Sequence, residues 1–272
     1  MKILIIGASG FLGSTIYHKL KSVENIELLG TYITHRNQNE FIQLDVLDTK
    51  QLQIVVKEFN PDAIIWTVMN HELEEIIADE VMPVLSEFIG SIRFIFLSTS
   101  VAYEKNMTEE VEPFIRTEDW YNHHYFNGKI KSESIIRMFN NFCIIRPGSI
   151  YGINPDGKLD SRSRTLKDYV ESDKEYIRAT NIIFSIVEVN ELAEAVIELL
   201  SSEYIGIINI SEEEPVSHYN FNKALCQLYG WDDSCIVGKE EEENIYYLNN
   251  DLRKKILKTT IGTIKTSASY AD

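Results

Sequence analysis

Residues 1–13 read MKILIIGASGFLG, and this stretch decides the fold. The four consecutive apolar residues at 3–6 predict a short strand buried on both faces, as in a parallel sheet. Gly7, Gly10 and Gly13 follow at G-x-x-G-x-x-G spacing, and Phe11, Leu12, Ile16 and Leu20 then recur at helical spacing. Each glycine has a physical task. Gly7 permits a tight turn out of the strand, Gly10 lets the backbone approach a pyrophosphate, and Gly13 lets the helix pack close to the sheet. The helix N-terminus then presents N–H groups and a positive dipole end to the phosphates. Glycine triplets also serve ordinary turns; the strand before this one and the helix after it favour nucleotide binding.

Outward from that stretch, strands and helices alternate strictly. Strands are expected at residues 26–32, 41–44, 63–68 and 93–97, with helices at 49–59 and 72–89 between them. Alternation of this kind means a parallel, doubly wound α/β sheet, whose ligands gather at the strand carboxyl ends. The end of the second strand bears on cofactor choice. A site selecting NAD usually carries Asp or Glu there, whereas this chain has Gly30-Thr31-Tyr32-Ile33-Thr34-His35-Arg36. Hydroxyls and an arginine suit a 2′-phosphate, so NADP(H) is expected over NAD(H), with Thr31 and Arg36 as its contacts. The alternative is that Arg36 is a solvated loop residue. Asp45-Val46, ending the third strand, suits an adenine ring, although Asp45 could instead cap the next helix in competition with Asp48.

Bulk properties set limits. With 272 residues, 44% hydrophobic and 25% charged, the chain can bury a large globular core. Its formal charge of −16 argues against a nucleic-acid or anionic-membrane surface. The three cysteines, Cys143, Cys226 and Cys235, are widely spaced and form no metal or redox motif. No metal site is therefore expected. No apolar run has the length of a signal peptide or membrane span, and a cytoplasmic protein is expected.

The chemistry gathers after the fifth strand, which ends in Ser98-Thr99-Ser100-Val101-Ala102-Tyr103. A loop leads to His123-His124-Tyr125-Phe126-Asn127-Gly128-Lys129 at the start of a helix. Tyr125 and Lys129, four residues apart, share one helix face. An ammonium beside a phenol favours the phenolate, lowering a pKa of about 10 and making the tyrosine a usable acid or base. Thr99 then supplies a hydroxyl to orient a carbonyl.

These residues resemble the extended short-chain dehydrogenase/reductase family, known also as the NAD-dependent epimerase/dehydratase family. The resemblance runs over most of the chain. It is carried by GASGFLG at 7–13, Asp45-Val46, the hydroxyl cluster ending in Tyr103, YFNGK at 125–129 and Arg146-Pro147-Gly148-Ser149-Ile150-Tyr151-Gly152. It implies a Rossmann-type doubly wound parallel sheet in residues 1–150, completed by 182–203. Residues 151–181 and 204–272 would form a small C-terminal α+β substrate lobe. The catalytic residues it implies are Thr99, Tyr125 and Lys129, with Ser98 as the fallback hydroxyl. It places the cofactor against Gly7, Ser9, Gly10, Phe11, Leu12 and Gly13, then Asp45, Val46, Thr67, Val68 and Ile150, besides Tyr125 and Lys129. Substrate contacts fall on Ser100, Tyr103, Arg162 and Arg164. The two arginines suit a diphosphate, with arginines of a polar loop facing water as the alternative.

Within the family the chain is most similar to the dTDP-4-dehydrorhamnose reductase branch, which implies reduction of a nucleotide-linked 4-keto sugar. Two departures stand out. Ser100 replaces that branch's acid, and Trp66-Thr67-Val68-Met69 puts bulk where small residues are usual, so the nicotinamide or sugar could be held at a different distance. Sugar-nucleotide 4,6-dehydratases need an Asp-Glu pair after the catalytic threonine, where this chain has Ser100-Val101. Epimerising synthases of the GDP-fucose type need a cysteine where Val101 stands. An NAD-dependent 4-epimerase keeps the same triad, and a non-catalytic NADP-binding subunit is the rival from another class. A homodimer through the helices starting near Glu72 and Lys129 is compatible with the resemblance.

Overall fold

The structure is a computed structural model and describes residues 1–34, 39–100, 105–172, 174–242 and 244–264. The first part runs β1 (Lys2–Ile6), α1 (Phe11–Lys21), β2 (Glu27–Tyr32), β3 (Ile42–Gln43), α2 (Thr49–Phe59) and β4 (Ala63–Trp66). A helical stretch follows, made of α3 (Glu74–Ile76), a π-helical turn (Ile77–Val81) and α4 (Met82–Phe88). Then come β5 (Arg93–Leu97), α5 (His123–Ile136), β6 (Phe142–Pro147) and β7 (Ser149–Tyr151). The later part runs α6 (Ser161–Val170), β8 (Tyr176–Ala179), β9 (Ile182–Phe184), β10 (Ile186–Glu188), α7 (Val189–Leu200) and β11 (Gly206–Ile210). It ends with β12 (Val216–Ser217), α8 (His218–Tyr229), β13 (Ile236–Lys239), β14 (Asn244–Ile245) and α9 (Asp251–Ile256).

The central sheet has the order β11-β6-β5-β4-β1-β2-β3, and every neighbouring pair is parallel. Strand order reverses between β1 and β4, which opens a crevice at their carboxyl ends. The run at 3–6 is apolar throughout because both faces of β1 are covered. Ile3 and Ile5 face α1 and α7 in one core, while Leu4 and Ile6 lie with Leu52, Met82 and Ile136 in the other. A third core, with Tyr151, Leu166, Phe184, Phe221 and Leu225, belongs to the smaller sheets and α8.

Local differences from the sequence expectation have local causes. The helix expected at 72–89 changes to π pairing over Ile77–Val81 and returns to α pairing at Met82. Pro83 sits at that return and has no N–H for the carbonyl four residues back. Asp48, not Asp45, caps α2, accepting the Gln51 N–H at 3.0 Å. Residues 206–210, assigned above to the lobe, instead pair with β6 as the edge strand of the central sheet. Leu257 and Ile261 also return to the core beneath that sheet. Among the described residues, no helix is long and apolar enough to cross a membrane.

Candidate active site

The crevice between β1 and β4 is built from backbone that only glycine allows. Gly7 has φ of +88°, in the left-handed region, and turns the chain sharply out of β1. A Cβ on Gly13 would lie 2.3 Å from the Gly7 carbonyl and 2.8 Å from the Thr67 hydroxyl, so α1 packs directly on the turn. Thr67 closes the crevice from β4, its hydroxyl donating to the Ile6 and Gly7 carbonyls at 3.0 and 3.1 Å. Gly10, by contrast, is exposed, and it precedes α1 with no side-chain cap and no acid in the first turn. Such an N-terminus suits an anionic phosphate. Phe11 and Ser9 are half-buried around it, and Leu12 packs into the core.

Other expected cofactor contacts divide. Thr31 is buried, and its hydroxyl accepts the Gly7 N–H at 3.0 Å. It braces the glycine turn from beneath. Arg36 and Tyr103 lie outside the described residues. Asp45 is exposed and accepts the Leu47 N–H at 3.0 Å, while Val46 is buried against Leu44 and Leu52. Ile150 is half-buried on β7. The bulk of Trp66 does not reach the crevice: it is fully buried in the core beneath the sheet, with Phe94 at 6.2 Å, and Met69 points to solvent.

Thr99, Tyr125 and Lys129 come together at the carboxyl ends of β4 and β5. The Thr99 side chain lies beside the Tyr125 hydroxyl and favours its phenolate. The Lys129 ammonium is 5.9 Å from the Tyr125 ring centre and 4.8 Å from that of Phe96. It donates to the Val68 carbonyl at 2.9 Å and pairs with the Glu74 carboxylate at 3.1 Å. Lys129 and Glu74 are 1% and 0% exposed, so this is a buried ion pair. The Tyr125 phenol is pushed up to about 12, first by burial and then by the Glu74 charge, against the influence of the Thr99 side chain and the Arg162 charge. That direction is opposite to the one expected from Lys129 alone, because burial disfavours the phenolate and the Glu74 charge adds to it.

Ser98, the fallback hydroxyl, is otherwise engaged. It donates to Glu133 at 2.5 Å, and Glu133 also receives Arg146 Nε at 3.1 Å and Nη2 at 2.7 Å. Arg146 additionally donates to the Glu109 and Val111 carbonyls, both at 3.3 Å. The Arg-Pro motif thus ties β5, α5 and β6 to the loop before the catalytic helix. Its tyrosine, Tyr151, donates to Glu212 at 2.7 Å.

The lobe adds positive charge. The Arg162 guanidinium acts on both Tyr125 and His218. Arg178 lies on the Tyr176 ring at 3.9 Å and bonds its hydroxyl. Burial and the charges of Arg178 and Arg162 pull His218 down to about 4, leaving it neutral at pH 7. Arg164, two residues along α6, folds back onto the Leu159 carbonyl at 3.2 Å and is exposed. Ser100 is half-buried beside Thr99. Sequence reasoning did not find Glu74, Glu133, Arg178 or His218, because nothing local to those residues signals which partners tertiary packing brings to them.

The fold and the glycine crevice define a dinucleotide-dependent enzyme. A family model described as the NAD dependent epimerase/dehydratase family matches residues 3–210, more than half the chain. The chain belongs to that family and is an NAD(P)-dependent enzyme of the extended short-chain dehydrogenase/reductase type. No curated protein matches it. Solved structures do. A hypothetical dTDP-4-dehydrorhamnose reductase from Sulfolobus tokodaii aligns with TM-score 0.76 at 21% identity, over 97% of this chain and 98% of that one. The dTDP-4-dehydrorhamnose reductase of Bacillus anthracis, in complex with NADP, gives 0.77 at 16% identity, over 96% and 95%. The dTDP-glucose 4,6-dehydratase of that organism, in complex with NAD, gives 0.77 at 15% identity, over 94% and 90%. At these identities the likeness is one of fold. The residues here fit a nicotinamide dinucleotide: the uncapped α1 N-terminus behind exposed Gly10 accepts a pyrophosphate, at the crevice where strand order reverses.

Proposed function

We propose that the protein is an NADPH-dependent reductase of a 4-keto sugar attached to a nucleoside diphosphate. The observation that carries this reading is the gathering of the Thr99 side chain and the Lys129 ammonium, the latter 5.9 Å from the ring centre, around the Tyr125 phenol. NADPH, when bound, supplies the hydride for the ketone carbon. Tyr125, whose phenol keeps its proton at neutral pH, donates that proton to the ketone oxygen. Thr99 orients the same oxygen by a second hydrogen bond. Lys129 spends one N–H on Glu74 and one on Val68, and its third is available to a ribose hydroxyl. Arg162 and Arg178 favour an anionic diphosphate on the lobe side, with neutral His218 as a further hydrogen-bond partner. The absence of a carboxylate at residues 30–36 supports NADP(H) over NAD(H).

The test is Tyr125→Phe, assayed for NADPH-dependent reduction of nucleotide-linked 4-keto sugars and for cofactor affinity by calorimetry. The expected result is a loss in turnover of about 100-fold or more with NADPH affinity retained, the scale of one general acid. Unchanged turnover sinks the assignment. Tighter binding of NAD than of NADPH by the unmodified protein moves the reading to a 4-epimerase.

A further inference from the structure

Lys129 and Glu74 are buried charges beside the Tyr125 phenol, and only one of them belongs to the expected triad. Their meeting depends on Gly128. A Cβ there would lie 2.1 Å from the Glu74 carbonyl carbon, so α5 touches the backbone of α3 and the two side chains meet alongside. Glu74 Oε1 also accepts the Asn70 N–H at 3.0 Å, which fixes the carboxylate against its own loop. Its other oxygen, Oε2, is buried with no protein partner among the described residues. A buried carboxylate oxygen without a partner is costly, and packing alone gives no return for it.

We propose that Glu74 is a positioning residue for Tyr125: it anchors the Lys129 ammonium and offsets its charge at the phenol, so that the hydroxyl enters the reaction carrying its proton. This rests on the reading of Tyr125 as the reductive acid. The groups facing the phenol are the Thr99 hydroxyl from β5, Lys129 from α5, Glu74 from α3 and Arg162 from α6. The His71 ring completes the set, at 5.3 Å between ring centres. Arg162 and Lys129 favour phenolate, and Glu74 opposes them. Without Glu74 two cations face the phenol unopposed, and the proton is lost at lower pH.

The experiment is a tyrosinate absorbance titration of Glu74→Gln, with a Tyr125→Phe background subtracted because the chain has 14 tyrosines. The Tyr125 component is expected to move down by about one pH unit or more, as for removal of one nearby charge. The alkaline limb of ketone reduction should move down with it. Lys129→Met should move Tyr125 up, and the double variant E74Q/K129M should return it toward the unmodified value. If E74Q does not fold, the difference between Lys129→Met and the double variant, which buries no ion pair, still reads the Glu74 effect, and no difference between those two overturns the proposal. A Tyr125 titration that is the same in every folded variant overturns the proposal. The titration needs no substrate. A shift seen in a protein that reduces no ketone supports the Glu74 coupling and rejects the reductase reading instead.

Discussion

Glu133→Gln tests how firmly the buried Arg146 pair holds the catalytic strand end. The substitution keeps the side-chain volume and removes the charge. Glu133 and Arg146 are 1% and 0% exposed, so water does not replace what is lost. Two guanidinium bonds, at 3.1 and 2.7 Å, and the Ser98 hydroxyl bond at 2.5 Å all end on this carboxylate. Arg146 would keep the Glu109 and Val111 carbonyls at 3.3 Å and at most one neutral amide oxygen, with no counter-charge. Breaking one side of a buried pair costs about 3–5 kcal/mol, whereas a surface pair is worth about 0–1 kcal/mol. The expected loss is therefore about 3–5 kcal/mol, read from the midpoint of urea unfolding at constant slope. The double variant E133L/R146M should recover much of it, because no unpaired charge remains. Turnover should fall in Glu133→Gln while cofactor affinity holds, since Ser98 directly precedes Thr99. A loss below about 1 kcal/mol would refute the reasoning, showing that the pair is effectively solvated.

Two further outcomes follow from the site. Thr31→Val removes the acceptor of the Gly7 N–H and should cost about 1–3 kcal/mol. Calorimetry should show NADPH and NADH weakened by the same factor, and a selective loss of NADPH would restore Thr31 as a reader of the 2′-phosphate. Glu212 is pushed up to about 7 by burial and by the charges of Glu191 and Glu188, against hydrogen bonds from Tyr151 and the Ile264 N–H. A carboxyl raised in the folded state binds protons that the unfolded chain has released, so its stabilisation is complete below about pH 4.5 and is lost as pH rises through about 7. Thermal unfolding across pH 5–8 should flatten in Glu212→Gln, and an equal slope in both proteins would reject this assignment.

Much of the nucleotide half was legible because its signals are local. The apolar run at 3–6, the three glycines and the helical repeat after them lie within about twenty residues. Tyr125 and Lys129 are likewise neighbours on one turn. The strict alternation of strands and helices then implied a parallel sheet, and with it the crevice at the carboxyl ends. Failures came where a residue's role depends on distant chain. Trp66 reads as bulk in the crevice until strand alternation turns it into the opposite core. Residues 206–210 carry no mark distinguishing an edge strand of the main sheet from a strand of the lobe.

The sequence by itself therefore determined the fold class, the glycine crevice and the shared helix face of Tyr125 and Lys129, since each rests on backbone geometry or on spacing within one element. Only the tertiary structure decided the electrostatics of the site. Glu74 reaches Lys129 across 55 residues because Gly128 lets two helices touch, and Glu133 meets Arg146 and Ser98 from three separate elements. Charge interactions act through space and strengthen as water is excluded. Burial and the Glu74 charge, which raise the Tyr125 phenol, are consequences of packing that no local pattern announces.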